Sequence, residues 1–276
     1  MKIDFQSAKK NMKIGFIGLG NMATAIIGGI LKKGLASPAE ICGADKYEAA
    51  CEKARQSFGI ETYTDNCEIV KQADLLVLAV KPVFFPEVME EIREMLRPET
   101  VVTSIAAGKT IAYIEEGLQN PVAKIVRCMP NTPALVGEGC TGVCANKNVT
   151  KEELQMVLTL MNSFGVAEVV PESLMDTVVG VSGSSPAYVF MFIEAMADAA
   201  VAEGMPRKQA YHFAAQAVLG SAKMVLETGM HPGELKDMVC SPGGTTIQAV
   251  KVLEEKGMRG AVMDAVEACI QKSRQL

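Results

Sequence analysis

The chain has 276 residues, of which 49% are hydrophobic and 21% charged, with a net charge of −5. That apolar share excludes disorder as the main state, and an acidic balance with no basic block longer than a pair argues against nucleic acid as the main ligand. No apolar run reaches the length of a membrane span, because the nearest candidate, 178–202, is interrupted by Ser182, Gly183, Pro186, Glu194 and Asp198.

Residues 1–11 read as an extension or tag, since Met12-Lys13-Ile14 repeats Met1-Lys2-Ile3 and leads directly into the first apolar segment. No basic segment followed by an apolar one opens the chain, so no secretory signal is predicted and a cytoplasmic setting is expected. Eight cysteines at irregular spacing fit reduced thiols in that setting better than a disulfide framework. Cys140 and Cys144 lack a second Cys/His pair at zinc-site spacing, so no metal site is predicted.

From Lys13 short apolar runs alternate with helical patterns. Strands are predicted at 14–17, 41–44, 75–80, 101–105, 124–128 and 166–170, and helices at 21–33, 47–57, 87–96 and 152–164. The segment 75–80 is apolar on both faces, as a central parallel strand requires. This alternation predicts an α/β fold with a Rossmann-type doubly wound sheet over 1–171. After Pro171 only helices are predicted, at 187–203, 208–227, 245–256 and 260–274, making 172–276 an all-helical domain. The helix at 187–203 carries only Glu194, Asp198 and Glu203 as charges and must be buried. So long a helical region with so little polar surface predicts a homodimer. A monomer whose helices pack back onto the α/β part is the alternative.

Two strings suggest anion sites. Gly18-Leu19-Gly20-Asn21-Met22-Ala23 is G-x-G-x-x-A between the first strand and the first helix. Gly18 suits the tight turn, Gly20 a close approach by pyrophosphate, and Ala23 close helix–sheet packing. The context favours dinucleotide binding over a plain turn. About 20 residues on, Asp45 stands where an acid accepts from the ribose 2′-OH of NAD, while Lys46 beside it could meet a 2′-phosphate. Asp45 tilts the reading toward NADH and the neighbouring Lys46 blunts it; a strand-end turn residue is the alternative. The second string, Ser241-Pro242-Gly243-Gly244-Thr245-Thr246, precedes a helix whose start suits a carboxylate. From the residues alone an ordinary capped turn is preferred there. With only His212 and His231 present, no Ser/His/Asp arrangement is evident. Hydride transfer needs none, because a nicotinamide supplies the chemistry and the protein supplies orientation.

The chain from Met12 onward resembles pyrroline-5-carboxylate reductases. The resemblance rests on Phe16-Ile17-Gly18-Leu19-Gly20-Asn21-Met22, Leu78-Ala79-Val80-Lys81-Pro82, Ser104-Ile105-Ala106-Ala107-Gly108, Arg127-Cys128-Met129-Pro130-Asn131-Thr132-Pro133 and Val181-Ser182-Gly183-Ser184-Ser185-Pro186-Ala187-Tyr188. It also rests on His231-Pro232-Gly233-Glu234-Leu235-Lys236-Asp237, leading into the second anion string.

The resemblance implies reduction of the cyclic imine 1-pyrroline-5-carboxylate to L-proline by NADPH or NADH, the last step of proline biosynthesis. It implies cofactor contacts from Ile17, Gly18, Leu19, Gly20, Asn21, Met22, Asp45, Lys46, Asn66, Ala79, Val80, Lys81, Pro82, Ile105, Ala106 and Ala107. Glu172, Ser241, Gly243, Gly244, Thr245 and Thr246 would line the substrate site, with Thr246 on the ring nitrogen as the catalytic residue. Family members form dimers through the helical domain, often five dimers in a decamer.

Three departures stand out. Ser185 replaces a common Gly and would be strained at positive φ. Asp45 replaces a residue that in many members favours NADPH, and so tilts the preference toward NADH. Met238 replaces an Asn of some members. The same two-domain plan also suits a hydroxyacid dehydrogenase using Lys223 or Lys236 as proton donor. A dinucleotide sensor and a purely structural dimer are further alternatives.

Overall fold

The computed structural model describes residues 12–275; the repeat at the chain start lies outside the described residues. Eight strands form one sheet: β1 (Ile14–Ile17), β2 (Ile41–Ala44), β3 (Glu61–Tyr63), β4 (Leu75–Leu78), β5 (Val101–Ser104), β6 (Lys124–Met129), β7 (Gly139–Ala145) and β8 (Gly165–Val169). Their order is β3-β2-β1-β4-β5-β6-β7-β8. The first six are parallel, β7 runs antiparallel to β6, and β8 pairs parallel with β7. This is the predicted Rossmann-type sheet.

The helices of this part are α1 (Asn21–Lys32), α2 (Glu48–Phe58), α3 (Asn66–Val70), α4 (Phe85–Ile92), α5 (Ile111–Leu118), α6 (Lys151–Met161) and α7 (Met175–Val178). Strand alternation sends side chains to two layers. Ile14, Phe16, Leu75 and Val77 face Ile26 and Ile30 of α1, Leu160 of α6 and Phe164 in the 3-10 turn that follows it. Ile17, Leu76 and Leu78 face Phe85, Met89, Ile114 and Leu118 of α4 and α5. Every residue of β4 is buried, so its unbroken apolar run reflects cover on both faces. Each such aliphatic side chain contributes about 1.5–3 kcal/mol of burial.

Several elements lie outside the expectations, the short helices α3, α5 and α7 among them. β3 is a three-residue edge strand whose residues are exposed or half-buried. β7 carries Gly139, Gly142 and Thr141 among its apolar residues, which hides a strand rhythm. In the helical part, α10 (Pro232–Val239) occupies a stretch where no helix is predicted. The remaining helices there are α8 (Ser185–Ala202), α9 (Arg207–Thr228), α11 (Thr245–Glu255) and α12 (Met258–Ser273). Ser185 opens α8 in ordinary helical backbone, and Gln119 is the one non-glycine residue with positive φ among those described, so the expected strain at Ser185 does not arise.

Contacts divide the chain after Gly183, further along than Pro171. Ser184–Cys269 form the second unit, and residues from Ile270 onward belong to the first. Glu172–Gly183 is tied to the first unit by named bonds. Asn131 Nδ2 donates to Ser182 O and Oγ at 3.1 and 3.3 Å, and Ser273 Oγ donates to Asp176 Oδ1 at 2.7 Å. Residues Val179–Gly183 form a π-helical turn. The stretch Glu172–Ala202 contains an 18-residue window of mean hydropathy 1.3, enough by length and composition for a membrane span, but the stretch is broken into 3-10, α and π pieces before α8.

The expected burial of α8 fails within the chain. Only Ala197 of its residues is buried, while Phe190 is 62% and Met191 69% exposed. A helix apolar all round needs cover from elsewhere.

Candidate active site

The strand order reverses direction between β1 and β4, the switch point where open α/β sheets bind ligands beyond the carboxyl ends of their strands. Backbone bonds carry the ladder one residue past the strands and fix three loops side by side. Gly18 N donates to Ala44 O at 2.7 Å, Ala79 N to Ile17 O at 2.8 Å and Ile105 N to Leu78 O at 3.2 Å. A cleft of about 580 Å³ opens there, lined among others by Gly18, Gly20, Asp45, Lys46, Asn66, Ala79, Val80 and Lys81.

The glycine turn has the properties a dinucleotide requires. Gly18 has φ +95°, and a Cβ there would sit 2.8 Å from the backbone of Ala79. At Gly20 nothing lies within 4 Å of where a Cβ would be, so the backbone is open to a ligand. Gly20 is the N-cap of α1 with no side-chain cap, leaving first-turn N–H groups for an anion. NAD or NADP therefore fits this cradle.

The expected cofactor residues divide into two groups. Those just named line the cleft. Ile17 ends β1 with 1% exposure, and Leu19 is 6% exposed with its N–H donating to Asp45 Oδ2 at 2.9 Å. Asn21 and Met22 open α1, and Pro82 opens the 3-10 turn Pro82–Phe84. Ile105, Ala106 and Ala107 follow β5, with Ala106 buried and its N–H donating to Ser104 Oγ at 3.3 Å. None of these eight is among the lining residues; they build or back the loops that are.

Residues not foreseen also line the cleft: Tyr47, Thr64, Phe84, Glu87, Val88 and Glu91. Lys46 Nζ sits 4.0 Å from the Phe84 ring centroid and 5.5 Å from that of Tyr47. Asn66 Nδ2 donates to Glu91 Oε2 at 2.8 Å. At this rim Asp65, Cys67 and Glu91 bring donor atoms within 4.8 Å of one another, but Asp65 caps α3 through Cys67 N, and Glu91 is bound to Asn66.

In the second unit, Ser241–Gly244 forms a tight turn closed by Gly244 N donating to Ser241 O at 3.0 Å. Gly243 has φ +68°, the left-handed region a side chain strains. A Cβ on Gly244 would meet Ser241 Oγ at 2.5 Å. Gly244 is the N-cap of α11, with no side-chain bond to the helix's first turn. The N–H groups at the start of α11 remain available to a carboxylate, with the Thr245 and Thr246 hydroxyls beside them. His231 is occupied as the cap of α10, its Nδ1 accepting from Gly233 N at 3.0 Å. Met238 is 66% exposed on the same helix.

Glu172 belongs to the first unit. Its Oε1 accepts from Ile111 N at 2.8 Å and from Arg127 Nη1 at 3.2 Å, and the Arg127 side chain is only 4% exposed. That carboxylate compensates a buried guanidinium and caps the first turn of α5. Lys223 pairs with Glu227 at 3.4 Å on an exposed surface, and Lys236 pairs with Asp237, whose hydrogen bond holds the ammonium above its ordinary pKa. Neither is poised to donate a proton, which weakens the hydroxyacid alternative.

Sheet order, glycine turn and switch-point cleft are those of a Rossmann-type dinucleotide-dependent oxidoreductase with a helical second part. Family models agree. Residues 13–108 match one described as NADP oxidoreductase coenzyme F420-dependent, and 172–276 match pyrroline-5-carboxylate reductase dimerisation. The chain is 54% identical over 264 residues to the pyrroline-5-carboxylate reductase of Escherichia coli strain K12, covering 96% of this chain and 98% of that one. The Coxiella burnetii pyrroline-5-carboxylate reductase structure aligns with TM-score 0.90 at 36% identity, covering 96% of this chain and 98% of that one. The Plasmodium falciparum pyrroline carboxylate reductase structure with NADP bound aligns with TM-score 0.88 at 34% identity, covering 97% and 99%. The chain belongs to the pyrroline-5-carboxylate reductase family and is an oligomer-forming enzyme.

Proposed function

We propose that this enzyme reduces 1-pyrroline-5-carboxylate to L-proline in the cytoplasm, with NADPH or NADH as reductant, as a homodimer that assembles further into a decamer. The observation that carries this reading is the pair of glycine-capped helix starts. Gly20 and Gly244 both have φ −74° with extended ψ, and neither helix has a side-chain cap. One start receives the cofactor pyrophosphate and the other the substrate carboxylate.

The bound nicotinamide supplies a hydride to the imine carbon. The chain's own residues bind and orient. The N–H groups that open α11, that of Thr245 first, grip the carboxylate, Ser241, Gly243 and Gly244 shape the turn, and Thr246 hydrogen-bonds the ring nitrogen as that nitrogen gains its proton. A protonated imine is already electrophilic, so a hydroxyl serves where a strong acid is not needed. Glu172, which the resemblance assigns to the substrate, pairs with Arg127 and the start of α5 within the first unit. The exposed apolar faces of α8 and α9 are where the dimer forms.

Parallel assays of NADH and NADPH oxidation with pyrroline-5-carboxylate test the reading. Turnover dependent on the imine is expected. Cofactor binding without any turnover would sink it and leave the Ser241–Thr246 turn without a substrate.

A further inference from the structure

We propose that the cleft selects NADH over NADPH because Asp45 is locked in place; this rests on the cofactor reading of the cleft. Asp45 follows β2, and its own N–H donates to Tyr63 O at 3.1 Å. Its two carboxylate oxygens are held by different elements. Oδ2 accepts from Leu19 N at 2.9 Å, in the glycine turn, and Oδ1 accepts from Tyr47 N at 3.0 Å, at the start of α2. Rotating the side chain away would break both bonds and strand the N–H of Leu19, a residue only 6% exposed. The carboxylate therefore cannot withdraw to admit a phosphate.

Each carboxylate oxygen has acceptor capacity left. A ribose diol brings donors to it. A 2′-phosphate brings charge of the same sign and more acceptors. The surroundings do not offset this. Asp45, Glu87 and Glu91 line the cleft against Lys46 and Lys81, three carboxylates to two ammonium groups. Lys46, the cation adjacent in sequence, has its ammonium over the Phe84 ring at 4.0 Å. This points the chain away from the coenzyme bound in the Plasmodium falciparum structure.

Calorimetry on the full-length protein with ADP-ribose and 2′-phospho-ADP-ribose isolates the adenosine half without turnover. ADP-ribose should bind at least about tenfold tighter, and the ratio should narrow as salt screens the repulsion. Asp45→Asn, which keeps an acceptor but loses the charge, should reduce the ratio by about tenfold, mostly by tightening the phosphorylated probe. Equal or tighter binding of the phosphorylated probe by the unaltered chain overturns the proposal alone. An unchanged ratio in a folded Asp45→Asn protein removes Asp45 as its cause. If neither probe binds, the cofactor reading of the cleft falls and takes this preference with it.

Discussion

At the scale of single residues, one hydroxyl serves the proposed chemistry and four buried thiols are kept from reacting. Thr246 stands in the first turn of an uncapped helix and is the proposed partner of the ring nitrogen. Thr246→Ala should lower kcat by about 10²-fold with cofactor binding intact, and Thr246→Ser should restore most of the loss. Steady-state kinetics beside cofactor titration checks this, and an unchanged kcat removes Thr246 from the chemistry. Burial pushes the Cys42 and Cys144 thiols up to about 11 and raises Cys51 and Cys128 as well. Only the thiolate is nucleophilic, so these four should stay unalkylated by iodoacetamide at pH 8 in the native protein and label on unfolding. Peptide mass mapping reads the result. Labelling of Cys128 in the native state would contradict the packing of β6.

At the scale of elements, Glu172 shows what local reading misses. The resemblance assigns it to substrate, yet its carboxylate holds Arg127 and the first N–H of α5. Glu172→Gln should destabilise the fold by about 3 kcal/mol, because it leaves a buried guanidinium uncompensated. Urea unfolding measures that. A fall in apparent substrate affinity with unchanged stability would return Glu172 to the substrate site. The ion pair was not legible because it joins strand and turn across 45 positions, and no sequence pattern announces such a partner. The cofactor turn was legible because strand, glycines and helix are contiguous. α10 was missed at His231-Pro232-Gly233, although a proline at the first helical position with Glu234 behind it is an opening signal. β7 was missed because its glycines and threonine broke the apolar rhythm, and β3 because a polar edge strand has none.

At the scale of the whole molecule, the sequence carried the layered sheet and the helical second half but left α8 without cover in its own chain. Phe190 and Phe213 are each 62% exposed and Leu226 84%. Such a surface, in a segment matching a dimerisation family, is held from water by another copy. Phe190→Glu should shift the protein toward monomers by light scattering, lower the melting temperature and remove its dependence on protein concentration. A variant that keeps the parent's mass would place the interface elsewhere.

The division of the chain carries a consequence for how it is made. The first unit includes residues beyond Ile270, and Ser273, 4% exposed, binds Asp176 there. A ribosome delivers the sheet early and Ser273 only after the whole helical part has emerged. The cofactor half therefore cannot be finished as a separate early product. The bond to Asp176 waits until Ser273 has followed the whole of Ser184–Cys269, so the first unit is completed only after the second has been synthesised. A nascent chain stalled inside α12 would display the glycine turn and cleft while still lacking the residue that holds Asp176 in place.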